Sequence, residues 1–100
     1  MTHDTIFFTM TAEAPKGGER IFKGSVFQLF EDGAGGASFH SVEIAGDTAV
    51  LRGEIVGDRR LVTENGLAEY LEDILASKEA IHLDIDVRFE APDLRLQAAA

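Results

Sequence analysis

Apolar residues in this chain recur at every second position along most of its length and follow a helical period in one segment only, and that contrast limits the folds open to it. In residues 64–77, Leu67, Tyr70, Leu71, Ile74 and Leu75 stand at i, i+3, i+4, i+7 and i+8, a single stripe down a helix. Thr63 or Asn65 can cap its start, Glu64 sits at the electropositive end and Lys78 at the other, which is the arrangement the helix dipole favours. Residues 81–90 alternate most cleanly, with Ile81, Leu83, Ile85, Val87 and Phe89 on one side and His82, Asp84, Asp86, Arg88 and Glu90 on the other. That is the period of a strand with one face buried.

Residues 6–12 also alternate, and residues 20–30 read the same way, with the turn signal Pro15-Lys16-Gly17-Gly18 between them. The two runs are expected to pair as a hairpin with Phe8 across from Phe27 and Ile6 across from Leu29. Residues 39–45 and 48–56 flank Gly46-Asp47, a glycine-first loop that suits a type II′ hairpin and aligns Ile44 with Ala49 and Val42 with Leu51. A second pair, Gly57-Asp58, is expected to reverse the chain into a strand over residues 59–62, either through a three-residue loop that sets Ile55 beside Leu61 or with a bulge near Gly53. The glycine-rich residues 31–38 contain nothing apolar enough to anchor them and are expected to form an exposed, mobile loop. Gly33-Ala34-Gly35-Gly36 is no phosphate cradle, because it leads into a strand and not into a helix N-terminus. The predicted fold is α+β: a curved antiparallel sheet of five to six strands in meander order, with one amphipathic helix before the last strand. Residues 1–96 form a single domain, and residues 97–100 a frayed tail.

Charge is the second strong feature. Half of the eighteen acidic residues fall between Glu64 and Asp93, opposed there only by Lys78 and Arg88, so this segment carries most of the net charge of −9. Such charge selects partners of opposite sign and repels nucleic acid and anionic lipid. The chain has no cysteine, which removes thiolate metal sites and cysteine nucleophiles. Its start has no basic n-region, no stretch reaches the length of a bilayer span, and a cytoplasmic protein is expected. No motif points to a cofactor.

The residues therefore suggest a non-enzymatic interaction module. Glu69, Glu72 and Asp73 on the helix, with Asp84, Asp86 and Glu90 on the last strand, would present carboxylates to a basic protein partner, as inhibitors that imitate nucleic acid do, phage-encoded ones among them. Metal binding by His82, Asp84 and Asp86 is disfavoured, since alternate strand residues stand about 6.5–7 Å apart and three do not converge on one ion. The rival reading is a small-molecule-binding or catalytic domain with a pocket near His40, which the hairpin register places opposite Gly53, and reached by Tyr70. A third reading is a structural homo-oligomer. Phe7, Phe22, Val26 and Phe30 fall on the second face of the first hairpin, where one helix has no reach, and a homodimer interface or a curled sheet would have to bury them.

Overall fold

The computed structural model describes residues 4–78 and 83–90. Its elements are β1 (Asp4–Glu13), α1 (Glu19–Asp32), β2 (Ser38–Ala45), β3 (Thr48–Gly57), α2 (Glu64–Lys78) and β4 (Asp84–Phe89). The four strands form one antiparallel sheet in the order β2-β3-β1-β4. Each helix links two strands that have a third strand between them. Two split β-α-β units thus interleave, which is the ferredoxin-like plan.

The fold is α+β with an antiparallel sheet as the sequence suggests, but among the described residues the sheet has four strands, is not a meander, and carries two helices. The correction lies in residues 20–30, which are helical. Their buried residues are Phe22, Val26 and Leu29, with Phe30 half-buried against the core, whereas Ile21 and Phe27 are exposed. Those spacings of four, seven and eight are a helical stripe. Read as a strand, the segment has large apolar residues on both faces. That conflict is the mark of the wrong period, and it disappears in the helix. The turn before it is real: Gly18 N–H donates to the Pro15 carbonyl at 2.9 Å with Gly17 at φ 87°, but it feeds a helix and not a returning strand.

β1 consequently pairs with β3 and β4. Ile6 lies beside Ile55, Phe8 beside Gly53 and Phe89, Met10 beside Leu51 and Val87, and Ala12 beside Ala49 and Ile85. These residues all share one face, and they join Phe22, Val26, Leu67, Leu71 and Leu75 in a single core. Both helices therefore cover that face, α1 next to β2 and α2 next to β4. Among the described residues no helix lies on the opposite face of the sheet.

The second expected reversal is also corrected. Residues 58–61 form a turn in which the Leu61 and Val62 N–H groups donate to the Asp58 carbonyl at 2.9 and 3.0 Å. Ile55 faces Ile6, and Leu61 is exposed in the turn. The Gly46-Asp47 hairpin has the expected register, with Ile44 on Ala49 and Val42 on Leu51. Leu83 and Val87 of the last strand segment are buried, with Asp84, Asp86 and Arg88 outside. Ile81, His82 and residues 91–100, the expected tail included, lie outside the described residues.

The helical reading of residues 20–30 makes a direct prediction. Phe22→Ala should cost about 3–5 kcal/mol in urea denaturation, because it empties a buried aromatic site. Phe27→Ala should stay within about 0.5 kcal/mol. The hairpin pairing would require the larger loss at Phe27.

Candidate functional site

The edge formed by α2 and β4 is where the charged segment is organised. β4 is the last strand of the sheet, so N–H groups along its outer side have no neighbouring strand to bond. Two carboxylates from α2 take their place. Glu72 Oε2 accepts the Ile85 N–H at 2.9 Å, and Glu64 Oε2 accepts the Phe89 N–H at 2.7 Å. Glu64 and Glu72 are eight residues apart, about 12 Å along a helix. Ile85 and Phe89 are four apart, about 13 Å along a strand. The spacings match, and the helix runs antiparallel to the strand it covers. Thr63, one of the two expected caps, accepts the Gly66 N–H at 3.0 Å and starts the helix so that Glu64 falls in its first turn.

The expected partner-binding carboxylates divide accordingly. Glu72 is half-buried and already holds a backbone group, so it is not the freely exposed side chain that the helix pattern suggests. Glu69 and Asp73 are exposed on α2, and Asp84 and Asp86 on β4. Two shallow depressions meet at this edge, of about 310 and 280 Å³. Glu72, Asp73 and Asp84 line one, and Glu13, Glu72, Asp84 and Asp86 line the other. Glu13 comes from the end of β1, directly beside Asp84, and sequence reasoning missed it because the pairing of β1 with β4 is not a local property. Among the described residues neither depression is lined by a Lys or Arg. Arg88 lies one position pair along β4 and bonds Asp86 at 3.3 Å. Glu90 is at the far end of the strand, where its N–H reaches the Phe7 carbonyl, and it does not join the cluster. Among the described residues no group of His, Asp or Glu has the grouping of a metal site.

His40 does not stand opposite Gly53 as the hairpin register predicts. A β-bulge falls between Phe39 and Ser41, which places Phe39 opposite Gly53 and leaves His40 exposed. The Phe39 ring lies over the glycine and meets Phe8 edge-to-face at 5.9 Å. Opposite a missing side chain the core takes the apolar ring, and one extra residue is enough to turn the imidazole outward.

Tyr70 has a different neighbourhood. Residues 34–37 make a tight turn, with reciprocal bonds between Ala34 and Ala37 of 3.1 and 2.8 Å and with Gly35 and Gly36 at φ 56° and 89°. The Tyr70 hydroxyl donates to the Gly35 carbonyl at 3.0 Å, and Ala37 is buried. The glycine-rich segment is therefore anchored, contrary to the expected mobile loop. A cleft of about 590 Å³ opens beside it, lined by Gly36, Ile55, Val56, Leu61, Leu67 and Tyr70 among others. Val56, Leu61 and Tyr70 expose 61%, 79% and 46% of their surface, so the cleft has an unusually apolar rim. The turn that carries Leu61 is held by Asp58, whose carboxyl the Arg60 side chain, and then its backbone N–H, keep below the usual carboxylate range.

Compared with protein-family models, curated proteins and solved structures, the chain matches none. No helix among the described residues is long and apolar enough to cross a membrane.

The edge geometry is testable residue by residue. Glu72→Ala should accelerate hydrogen exchange at the Ile85 amide and lower stability by about 1–2 kcal/mol, since a buried-side donor loses a charged acceptor. Glu69→Ala, one turn away, should change neither quantity.

Proposed function

We propose that this chain is a non-enzymatic protein-interaction module whose α2–β4 edge engages a basic surface of another protein. The observation that carries this reading is the convergence of Glu13, Asp73, Asp84 and Asp86 on two adjoining depressions, from three separate elements, with Glu72 at the centre. Asp86 shares its charge with Arg88, whereas Glu13, Asp73 and Asp84 have no ion pair among the described residues and keep their charge available to a partner. Charge of one sign raises the rate and selectivity of encounter with the other. The same charge opposes direct contact with nucleic acid or an anionic membrane. A narrower form of the reading is an inhibitor that imitates nucleic acid. Asp84 and Asp86 on the strand and Glu69 and Asp73 on the helix then supply the two rows that approach a phosphate backbone in charge density.

The test is capture from lysate at low and at high salt, comparing the wild type with Glu13→Lys/Asp73→Lys/Asp84→Lys. Glu72 is left intact because its replacement disturbs the strand edge. A basic protein held by the wild type, released by salt and lost from the triple variant, with unchanged circular dichroism, is the expected result. Competition of that capture by duplex DNA marks the mimic. Capture that survives the three reversals would reduce the acidic edge to a solubilising surface.

A second reading rests on the apolar rim beside Tyr70, which suits a small apolar or aromatic molecule. Tyr70 is the only tyrosine and the chain has no tryptophan, so its fluorescence reports on the cleft alone. A hydrophobic dye should perturb that emission in the wild type and fail to do so in Leu61→Asp. An equal response in both would leave the cleft without a ligand role.

A further inference from the structure

We propose that Asn65, at the start of α2, is a site of spontaneous covalent modification. Its side-chain amide is lost through a cyclic imide formed with Gly66, at a rate held down by the Thr63 cap, and the isoaspartate product uncovers one end of β4. The inference does not rest on the reading of the acidic edge as a binding surface.

Asn65 is the single asparagine of the chain, and a glycine follows it. Both residues are exposed. The side-chain carbonyl carbon of an asparagine stands one ring closure away from the backbone nitrogen of the next residue, and a glycine there has no Cβ to crowd the attack. The chemistry needs only water. The Gly66 nitrogen, having given its proton to solvent, bonds to Asn65 Cγ. The Cγ–Nδ2 bond breaks, Nδ2 leaves as ammonia, and a five-membered succinimide closes. Water then adds to one of the two ring carbonyls. Breaking the bond from Gly66 N to Asn65 Cγ gives aspartate. Breaking the bond from Gly66 N to the main-chain carbonyl carbon gives isoaspartate, whose backbone runs through Cβ and Cγ. In either case one amide and one water become a carboxylate and an ammonium ion, with no change of oxidation state.

The fold explains both why glycine stands at 66 and what restrains it. A Cβ on Gly66 would lie 2.8 Å from Thr63 Oγ1, too close for carbon and oxygen that are not bonded. The same oxygen accepts the Gly66 N–H at 3.0 Å, so the cap requires glycine at the third helical position and thereby creates the labile pair. That N–H belongs to the nitrogen that must lose its proton and turn toward Asn65 Cγ. In the helix it is held by the cap instead. The helical ψ of about −42° at Asn65 also keeps the nitrogen out of the near-planar ring that closure demands. Modification therefore proceeds through opening of the first helical turn, which costs the cap and some fraying but not global unfolding.

The two products act on the β4 edge in opposite ways. Glu64 directly precedes Asn65, and its Oε2 accepts the Phe89 N–H at 2.7 Å. Isoaspartate adds an atom to the main chain within the first turn, where the Leu67 N–H bonds the Thr63 carbonyl at 2.9 Å. The turn loses its register, Glu64 leaves Phe89, and an edge N–H is freed for another strand. Glu72, two turns further on, keeps the Ile85 N–H. Aspartate leaves the backbone unchanged and adds a carboxylate in the first turn, where the helix dipole favours it.

The test follows the full chain at neutral pH, folded and unfolded in guanidinium chloride, by anion exchange and peptide mapping. Asp32-Gly33 can form the same imide without a change of charge, so the charge shift and the mapped peptide report on Asn65. The folded wild type should convert at least about tenfold more slowly than the unfolded chain. Thr63→Ala should convert about fivefold faster than folded wild type, the ratio that about 1 kcal/mol of capping supplies, and Thr63→Ser should stay within about twofold of it. In the separated isoaspartate species the Phe89 amide should exchange at least about tenfold faster than in wild type, with Ile85 within about twofold, whereas Asn65→Asp should leave both as they are. Equal conversion in the folded and unfolded chain overturns the proposal. So does a folded Thr63→Ala that converts no faster than wild type, or an isoaspartate species with Phe89 as protected as before. The folded-to-unfolded ratio and the Phe89 amide need no variant, and they decide the matter if the thermal midpoint shows that Thr63→Ala has not folded.

Discussion

Everything in this fold depends on β1 being hydrogen-bonded along both of its edges. A buried central strand has no water to satisfy its N–H and C=O groups, so both sides must find partner strands. The partners are β3 and β4, from the middle and the end of the chain. Neither can be reached by a tight turn from β1. The connections have to cross over the sheet, and each crossover is a helix whose apolar stripe covers the same row of Ile6, Phe8, Met10 and Ala12. The position of the helices on one face and the outer places of β2 and β4 follow from that central placement.

The outer strands are protected in different ways. β2 carries the bulge at His40, which interrupts its regular ladder and turns a polar side chain to solvent. β4 is closed by its own preceding helix through Glu64 and Glu72. The acidic density of the segment after residue 63 is thus partly structural. Two of its carboxylates are spent on backbone N–H groups, while Glu69, Asp73, Asp84 and Asp86 remain exposed. An acidic stretch in a sequence can therefore combine edge capping with a surface that repels one class of partner and attracts another.

Much of the local architecture was legible. The stripe from Leu67 to Leu75 announces α2, Gly46-Asp47 announces the β2–β3 hairpin with its register, and the alternation from Leu83 to Phe89 announces β4. Residues 20–30 were misread because six of their apolar residues satisfy an alternating template in part, while only Phe22, Val26, Leu29 and Phe30 satisfy the helical one together. Of the candidate site, Asp73, Asp84 and Asp86 were legible as exposed charge. Glu13 was not, since it joins them only through the β1–β4 pairing. His40 was misplaced by a single bulged residue, which no hairpin rule foresees.

What the sequence by itself determined are the properties that neighbours decide: the period of α2, the hairpin turn, the in-and-out order of β4, and the concentration of carboxylates toward the C-terminal third. Tertiary structure alone decided that Phe39 and not His40 fills the space above Gly53, that Glu72 holds a backbone N–H, and that Phe7 is left on the open face. The physical reason is range. A turn or a helical stripe is stabilised by residues a few positions apart, whereas the burial of a particular ring and the pairing of a strand edge depend on groups from 13 to 81 residues away, whose arrival the local pattern does not encode.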